Sequence, residues 1–356
     1  MTESVRFCDY TIGSSAYDEL PRLCAKLGHR VLLLGGVTAL EMASPVLDAV
    51  LAGSDLQIAG RLHTPVECSA AGIAALAGEC TPLGAELILG VGGGKALDTA
   101  KGVAELLGLP IITLPTIAAT CAATTALSVL YHEDGRHDTI RFFESPPIHC
   151  LIHTGILSEA PAKYLRGGMG DALGKFFECH FASRGQVLPH ASALARQISV
   201  QCHDPILLNG AQAMFDCDQK NDTPALREVV LAIIVTTGLV SLLVEDCYNG
   251  AVAHSVCYGL SEIPRVAKNH LHGDLVAYGI LVQLVLDGNI EQAMGLCMFL
   301  RRIGIPTSLA ELDVELDSPE LTMVLEEAIV SPDMEVIPYL VDVEILRSAV
   351  HLIESI

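Results

Sequence analysis

The chain has 356 residues, of which 51% are apolar and 18% charged, and its 42 acidic and 21 basic side chains give a formal net charge of −21. A chain that is half apolar can bury the cores of two domains and is not intrinsically disordered. The acidic balance, with no run of lysines and arginines, predicts no nucleic-acid partner, because phosphate backbones are bound by clustered basic side chains.

The N-terminal half alternates short apolar runs with helical patterns. The runs are typical of strands buried on both faces of a parallel sheet, and they lie at 31–34, 87–91, 110–114 and 150–152. Helical spacing of apolar residues predicts helices at 15–27, 64–77 and 96–107. Segments 127–131 and 139–143 predict a hairpin that turns at Asp134 and Gly135. Strands that alternate with helices indicate a parallel α/β domain.

The C-terminal half has a different character. From about residue 158 strand signals nearly vanish, and helical patterns follow one another to the C-terminus. We therefore predict an α/β domain over 1–157 and an α-helical domain over 158–356, packed closely across a cleft. The longest apolar run, 229–244, spans sixteen residues, whereas a membrane-spanning helix needs roughly 20. This run predicts a buried helix, and we expect no membrane contact.

The N-terminal segment and the cysteines bear on the cellular compartment. The first ten residues contain no basic stretch followed by an apolar one, so no signal peptide is predicted. The twelve cysteines include no CxxC pair, which favours reduced, mostly buried thiols. We therefore expect a cytoplasmic protein.

A glycine run follows the strand at 87–91 and opens the helix at 96–107. In Gly92-Gly93-Gly94-Lys95, glycines let the backbone approach a pyrophosphate, and the helix N-terminus offers free N–H groups and a partial positive charge. The run is neither GxGxxG nor a Walker A sequence. We interpret it as a phosphate-binding loop, with a tight structural turn as the alternative.

Two further features are candidates for ligand contact. Segment 114–128 leaves the end of a strand with five hydroxyl side chains, and ligands of open α/β sheets bind beyond the carboxyl ends of the strands; the alternative is a connecting loop. Asp171, His254 and His272 offer a carboxylate and two imidazoles, a set that leaves one position open on Zn²⁺ or Fe²⁺. Their spacings of 83 and 18 residues carry no local signature, and surface or core histidines remain the alternative.

Together these segments resemble the iron-containing (group III) alcohol dehydrogenase superfamily, and within it the glycerol dehydrogenase-like branch. The resemblance covers nearly the whole chain. It rests on Gly92-Gly93-Gly94-Lys95-(x2)-Asp98, Pro115-Thr116-Ile117-Ala118-(x)-Thr120, Gly170-Asp171-Ala172-Leu173, Ala253-His254 with Gly259, and His272-Gly273-(x2)-Val276-Ala277-(x)-Gly279. It implies a dehydroquinate synthase-like fold, with an α/β N-terminal nucleotide-binding domain and an all-α C-terminal metal-binding domain. It also implies subunit contacts in a homo-oligomer.

The resemblance assigns site residues as well. It implies that Asp171, His254 and His272 bind the metal. It places cofactor contacts on Gly93, Gly94, Lys95, Asp98, Thr116, Ala119, Thr125, Leu127 and Tyr131. We include Gly92, because the run from Gly92 to Lys95 is expected to cradle the pyrophosphate.

The end of the strand at 31–34 bears on the choice of cofactor. NAD-specific relatives often carry Asp there to bind the ribose 2′-hydroxyl, whereas this chain has Gly35 and Gly36 and no carboxylate before Glu41. We include Gly36 in the cofactor site and expect NAD(P)(H), with NADP(H) favoured. No lysine or arginine follows to bind the 2′-phosphate.

The chain also departs from the family pattern. Iron-using relatives carry a further histidine four residues after the Asp ligand, where this chain has Lys175, so we expect Zn²⁺, with Fe²⁺ or another divalent metal as the alternative. Glycerol dehydrogenases usually have Asp in place of Cys121, and tend to have a second His in place of Cys257. The pattern matches the hydroxycarboxylate dehydrogenase type, which interconverts 2-oxo and 2-hydroxy acids.

Lys175 is four residues after Asp171 and therefore on the same helix face. A cation at 175 and the loss of an acid at 121 both favour an anionic substrate. Our hypothesis is that Lys175 holds the substrate carboxylate, and the alternative is that it only pairs with Glu178 or Asp171. Cys121 is a candidate for substrate contact, and His270 for supporting the metal ligands or relaying a proton.

The sequence therefore predicts a metal-dependent NAD(P)(H) oxidoreductase that interconverts a small 2-oxo acid and a 2-hydroxy acid. A glycerol or other polyol dehydrogenase is the alternative on the same fold. A glycerol-1-phosphate dehydrogenase is less well supported, since those relatives also carry Asp in place of Cys121. A catalytically silent metal-binding or assembly protein is the alternative from another class.

Overall fold

The computed structural model describes residues 4–356. Residues 1–3 lie outside the described residues. The predicted domain 1–157 begins with them, as does the segment inspected for a signal peptide. The chain forms two compact units. The α/β unit comprises the chain up to Pro161 together with Asp216–Val230, and the helical unit comprises Ala162–Phe215 and Leu231–Ile356. The predicted boundary at 157 falls inside the helix Thr154–Glu159, and the segment Asp216–Val230 groups with the α/β unit.

A six-stranded parallel sheet forms the centre of the α/β unit. Its strand order is β1-β8-β5-β4-β2-β3, and a separate antiparallel hairpin joins β6 to β7. The strands are β1 Asp9–Gly13, β2 Arg30–Gly35, β3 Gln57–His63, β4 Leu87–Gly92, β5 Ile111–Pro115, β6 Leu127–Tyr131, β7 His137–Phe142 and β8 His149–His153. The predicted α/β architecture and its hairpin are therefore confirmed.

The two strands that the apolar runs did not predict are the edges of the sheet. Neither β1 nor β3 has a buried residue, whereas every residue of β4 and β5 is buried. An edge strand is covered on fewer sides than a central one, so it has no need of a continuous apolar run.

Helices cover both faces of the sheet. Successive strand residues point to opposite sides, so the apolar side chains of one strand contribute to two cores. Two neighbouring residues of β2 illustrate this: Leu33 packs in a core with Leu47, whereas Leu32 packs in a second core with Ile73. The helices of this unit are α1 Leu20–Cys24, α2 Val37–Ala52, α3 Ala70–Cys80, α4 Gly94–Leu107, α5 Thr154–Glu159 and α9 Pro224–Val230. The predicted start of a helix at 64 is wrong, because α3 begins after the Ser69 cap, whose side chain accepts the amide of Gly72.

The helical unit contains no strand among the residues described. Its helices are α6 Ala162–Ala182, α7 His190–Ile198, α8 Asp204–Asp218, α10 Thr237–Leu243, α11 Val252–Ser261, α12 Pro264–Asn269, α13 His272–Leu286, α14 Ile290–Arg302, α15 Pro319–Val330 and α16 Val343–Glu354. The last residues of α8 belong to the α/β unit. The prediction of an all-α C-terminal part is confirmed.

The apolar run at 229–244 lies in a long helical segment. Pro224–Leu243 is the one helix in the described part of the chain that is long and apolar enough to cross a membrane. Of its most apolar window, 61% is buried inside the structure. Most of this apolar window is therefore explained by its burial inside the protein.

Candidate functional site

Three side chains that are far apart in sequence meet in the helical unit. Asp171 lies in α6, His254 in α11, and His272 is the first residue of α13. One ligand atom from each lies within 4.8 Å of the others, and Asp171 Oδ1 is 3.8 Å from His254 Nε2 and 3.5 Å from His272 Nε2. The side chain of His272 is 42% exposed, against 12% for each of the other two, so the group is accessible from one side. A carboxylate and two imidazoles at this separation fit a divalent metal with an open position.

Glycines allow the helices that carry these residues to pack backbone against backbone. A Cβ on Gly273 would lie 1.7 Å from the carbonyl oxygen of Gly167, and one on Gly170 would lie 2.1 Å from that of Gly273. A Cβ on Gly279 would lie 2.3 Å from the carbonyl oxygen of Ala253. A side chain at any of these glycines would therefore push α6 or α11 away from α13. Each of the close contacts involves a residue next to a candidate ligand.

Glu178 holds His254 in place and was not among the predicted site residues. It is fully buried; its Oε2 contacts His254 Nδ1, and its Oε1 accepts the backbone amides of Ala251 and His254, both at 2.8 Å. Burial by itself raises the pKa of this carboxyl, but the ring and backbone amide of His254, together with the charge of Lys175, more than offset it, so the pKa is below its ordinary value. An ionised Glu178 keeps the proton of His254 on Nδ1 and leaves Nε2 free to bind a metal. Its place seven residues after Asp171, two helical turns along α6, was the signal available in the sequence.

Lys175 is buried one turn after Asp171, as its spacing in the sequence predicted. Its Nζ donates to the backbone carbonyl of Asn249 at 2.8 Å and to Asn249 Oδ1 at 2.9 Å. It forms no direct salt bridge with any residue in the described part of the chain, but its charge helps to lower the pKa of the nearby Asp171 and Glu178 carboxyls. Both of its hydrogen-bond acceptors are neutral.

The remaining candidates for catalysis lie elsewhere. The ring of His270 contacts Asp313 Oδ2 at 3.3 Å, beside Asn269, which donates to the same oxygen. The structure therefore gives His270 a partner outside the group of three candidate ligands. Cys121 belongs to the α/β unit and is half-buried, and its carbonyl oxygen accepts the amide of Thr124 at 3.0 Å.

The glycine run lies where the fold of the α/β unit favours a ligand. The chain passes from β2 to β3 on one side of it and then returns to β4 on the other side, and ligands of open α/β sheets bind at such a switch point. Gly36 precedes α2 there and Gly93 precedes α4, and neither helix has a side-chain cap. A Cβ on Gly93 would lie 2.5 Å from Ile117, whereas one on Gly36 would meet nothing within 4 Å. Gly92 has a φ of 151°, which favours glycine. Free N–H groups and open space fit a pyrophosphate.

The other predicted cofactor residues surround this loop in different ways. Lys95 forms an ion pair with Glu67, and its ammonium lies 4.7 Å from the ring centroid of Tyr131. Ala119, Leu127 and Tyr131 are half-buried. The predicted residues that are buried are Thr116, Thr125 and Asp98.

Asp98, a predicted cofactor contact, is buried against other residues of the α/β unit. Its side chain pairs with Lys101 at 2.8 Å and accepts the backbone amide of Val129 at 3.0 Å, and the residue is only 5% exposed. These partners come from the protein itself, and Lys101 was not among the predicted site residues.

The chain is similar to known proteins in sequence and in structure. Residues 9–152 match the iron-containing alcohol dehydrogenase family. A glycerol dehydrogenase of Escherichia coli O6:H1 is 33% identical over 326 residues, covering 90% of this chain and 87% of the relative. Hydroxycarboxylate dehydrogenase A of Escherichia coli K12 is 36% identical over 272 residues, covering 76% and 75%. The crystal structure of glycerol dehydrogenase from Schizosaccharomyces pombe matches with a TM-score of 0.88 at 27% identity, covering 99% of this chain and 91% of that one.

These similarities define an oxidoreductase, a dehydrogenase that acts on CH–OH donors. The chain belongs to the iron-containing alcohol dehydrogenase family, as the sequence motifs predicted. Membership in this family implies a divalent metal and NAD(H).

Proposed function

We propose that this enzyme interconverts a 2-oxo acid and a 2-hydroxy acid, with Zn²⁺ held by Asp171, His254 and His272. The observation that carries the proposal is the ammonium of Lys175, which is buried one turn from Asp171 and has only the neutral acceptors of Asn249. An ammonium has three N–H donors, so one remains to bind a substrate carboxylate. Lys175 in place of a fourth histidine ligand supports zinc with three protein ligands.

The proposed chemistry divides between the bound groups and the chain. When bound, the metal polarises the substrate oxygen as a Lewis acid and the nicotinamide exchanges a hydride with the carbinol carbon. Lys175 binds the carboxylate and so orients the 2-carbon, while Glu178 keeps His254 oriented through Nδ1. The amides that follow Gly92 and Gly93 at the start of α4 bind the pyrophosphate.

The proposal for the cofactor is NAD(P)(H), with NADP(H) favoured. The space beside Gly36, where a Cβ would meet nothing within 4 Å, supports room for a 2′-phosphate. No carboxylate follows β2 before Glu41, so none repels that phosphate there.

Glycerol is the second candidate substrate. The similarity to glycerol dehydrogenases, at 33% identity over 90% of this chain for that of Escherichia coli O6:H1, favours it directly. Against it stand Cys121, in the place of the usual Asp, and the buried ammonium of Lys175.

An assay of 2-oxobutyrate reduction, hydroxyacetone reduction and glycerol oxidation tests the proposal, with NADH/NAD⁺ and NADPH/NADP⁺ and on protein of measured metal content. We expect Lys175→Met to lower kcat/KM for 2-oxobutyrate by roughly 10- to 100-fold, the range for a lost charge-assisted hydrogen bond. The value for neutral hydroxyacetone should change less than about threefold.

Lys163→Met is the matched control, because Lys163 is an exposed lysine in the same helix; it should leave both substrates unaffected. Equal losses on the two substrates in Lys175→Met would remove the proposed role of Lys175. A wild-type enzyme that oxidises glycerol and ignores 2-oxo acids would establish the second candidate.

We further propose a cytoplasmic homo-oligomer that binds neither nucleic acid nor membranes. The net charge of −21 and the burial of the Pro224–Leu243 segment support the exclusions. Exposed apolar side chains on α8 and α14, among them Leu208 and Met298, support self-association, which sedimentation velocity measures.

A further inference from the structure

A buried lysine connects the phosphate-binding helix to the hydroxyl-rich segment. Lys101 lies in α4, two turns after its start, and is 3% exposed. Its Nζ donates to the carbonyl oxygen of Ala122 at 2.8 Å, to Thr125 Oγ1 at 3.2 Å, and to the carbonyl oxygen of Leu127. The same ammonium forms an ion pair with Asp98 at 2.8 Å. The hydrogen bonds of this buried cation therefore all go to a single short segment, and its charge is paired with one carboxylate.

Asp98 holds the far end of the same segment. Its Oδ2 accepts the amide of Val129 at 3.0 Å, and its backbone carbonyl accepts the hydroxyl of Ser128 at 2.9 Å. One turn of α4 thus contacts segment 122–129 from its first residue to its last. Buried carbonyl groups need partners, and for three residues of this segment Lys101 supplies them.

The position of this segment gives these contacts a functional meaning. It contains Thr125 and Leu127, which are predicted cofactor contacts, and it begins directly after Cys121. The helix that holds it starts at Gly94, the last of the three glycines in the proposed phosphate-binding loop. A displacement of segment 122–129 relative to α4 would therefore move one group of cofactor contacts away from the other.

We propose that Lys101, paired with Asp98, is a positioning residue that fixes segment 122–129 in its cofactor-binding conformation. This inference rests on the proposed use of NAD(P)(H). Lys101 is buried and its hydrogen bonds go to segment 122–129, so it acts on the cofactor through the backbone that it holds.

The first test is NADH binding to Lys101→Met, which keeps the length of the side chain and removes its charge. Titration of NADH fluorescence should give a Kd roughly 10- to 100-fold higher than that of the wild type. The affinity of the helical unit for Zn²⁺, measured by competition with a chelator, should be unchanged. Glu105→Ala, an exposed substitution in the same helix, is the control and should leave both constants unaltered.

Lys101→Met leaves Asp98 buried without its cation, which by itself threatens folding. The double variant D98N/K101M removes both charges and should fold, yet still bind NADH more weakly. Hydrogen exchange in either variant should accelerate at the amides of 122–129 and not at those of α3. Wild-type NADH affinity in a folded double variant would overturn the inference, as would unchanged exchange in the segment. A wild-type protein that binds neither NADH nor NADPH would instead overturn the proposed function.

Discussion

At the scale of single residues, the candidate metal centre depends on the carboxylate of Glu178, which is not itself a candidate ligand but orients one. Glu178 binds His254 through Nδ1 and through the backbone amide, so it orients both the ring and the start of α11. The hydrogen-bond partner of His272 is weaker, because it is a thiol: the Sγ of Cys257 lies 3.4 Å from His272 Nδ1. The two imidazoles are thus oriented by groups of different strength, and His254 is the more firmly held.

We predict that Glu178→Gln weakens metal binding by about 10- to 100-fold, because a neutral amide no longer fixes the tautomer of His254 or raises its basicity. Competition with a chromophoric chelator measures the metal Kd. Glu326→Gln, an exposed change in α15, is the control. A lower melting temperature with an unaltered metal Kd would show that Glu178 is only structural.

At the scale of helices, close backbone approach determines where the ligands lie. The carbonyl oxygen of Gly167 occupies the space that a side chain at Gly273 would need. Since His272 directly precedes Gly273, any increase in the separation of α6 and α13 also moves a candidate ligand away from Asp171. The close packing of α6 and α13 therefore also determines the distance between Asp171 and His272.

We predict that Gly273→Ala destabilises the protein by at least the ~1–3 kcal/mol typical of overpacking and also lowers metal affinity. Urea unfolding measures the first effect and chelator competition the second. Gly295→Ala is a matched comparison, because a Cβ there meets nothing within 4 Å. Alanine at this exposed position of α14 should stabilise the helix by roughly 0.5–1 kcal/mol. Equal effects of the two substitutions would contradict the close approach of α6 and α13.

At the scale of the whole molecule, the candidate metal ligands and the candidate phosphate-binding loops belong to different compact units. Asp171, His254 and His272 all belong to the helical unit, and the glycine loops at Gly36 and Gly92 to the α/β unit. Each unit has its own buried core. A ligand that binds one unit stabilises that unit by an amount set by its concentration relative to its Kd.

We predict that removal of the metal by a chelator speeds hydrogen exchange in α6, α11 and α13 and leaves β2, β4 and β5 as they were. Zn²⁺ at a hundred times its Kd should contribute about 2.7 kcal/mol to the unfolding free energy of the helical unit. Exchange followed by mass spectrometry resolves the two sets of amides. Faster exchange in the strands alone would contradict a metal site within the helical unit.

Several parts of the structure were predictable from local patterns because one local property determines them. A strand buried on both faces needs a continuous apolar run, and β2, β4, β5 and β8 were predicted for this reason. The helix at 229–244 likewise followed from its composition. The three candidate ligands came instead from resemblance to a family, since spacings of 83 and 18 residues contain no pattern of their own.

The sequence by itself determined the α/β and helical halves, the glycine loop before α4 and the placement of Lys175 one turn from Asp171. These depend on contacts within a few residues, or on burial repeated along one element. Other contacts became apparent only from the tertiary structure. Glu178 contacts His254, and Asn249 accepts hydrogen bonds from Lys175. The buried pair Asp98 and Lys101 contacts segment 122–129. The partners in these pairs are 21 to 76 residues apart, and long-range packing of whole helices, rather than any local preference, brings them together.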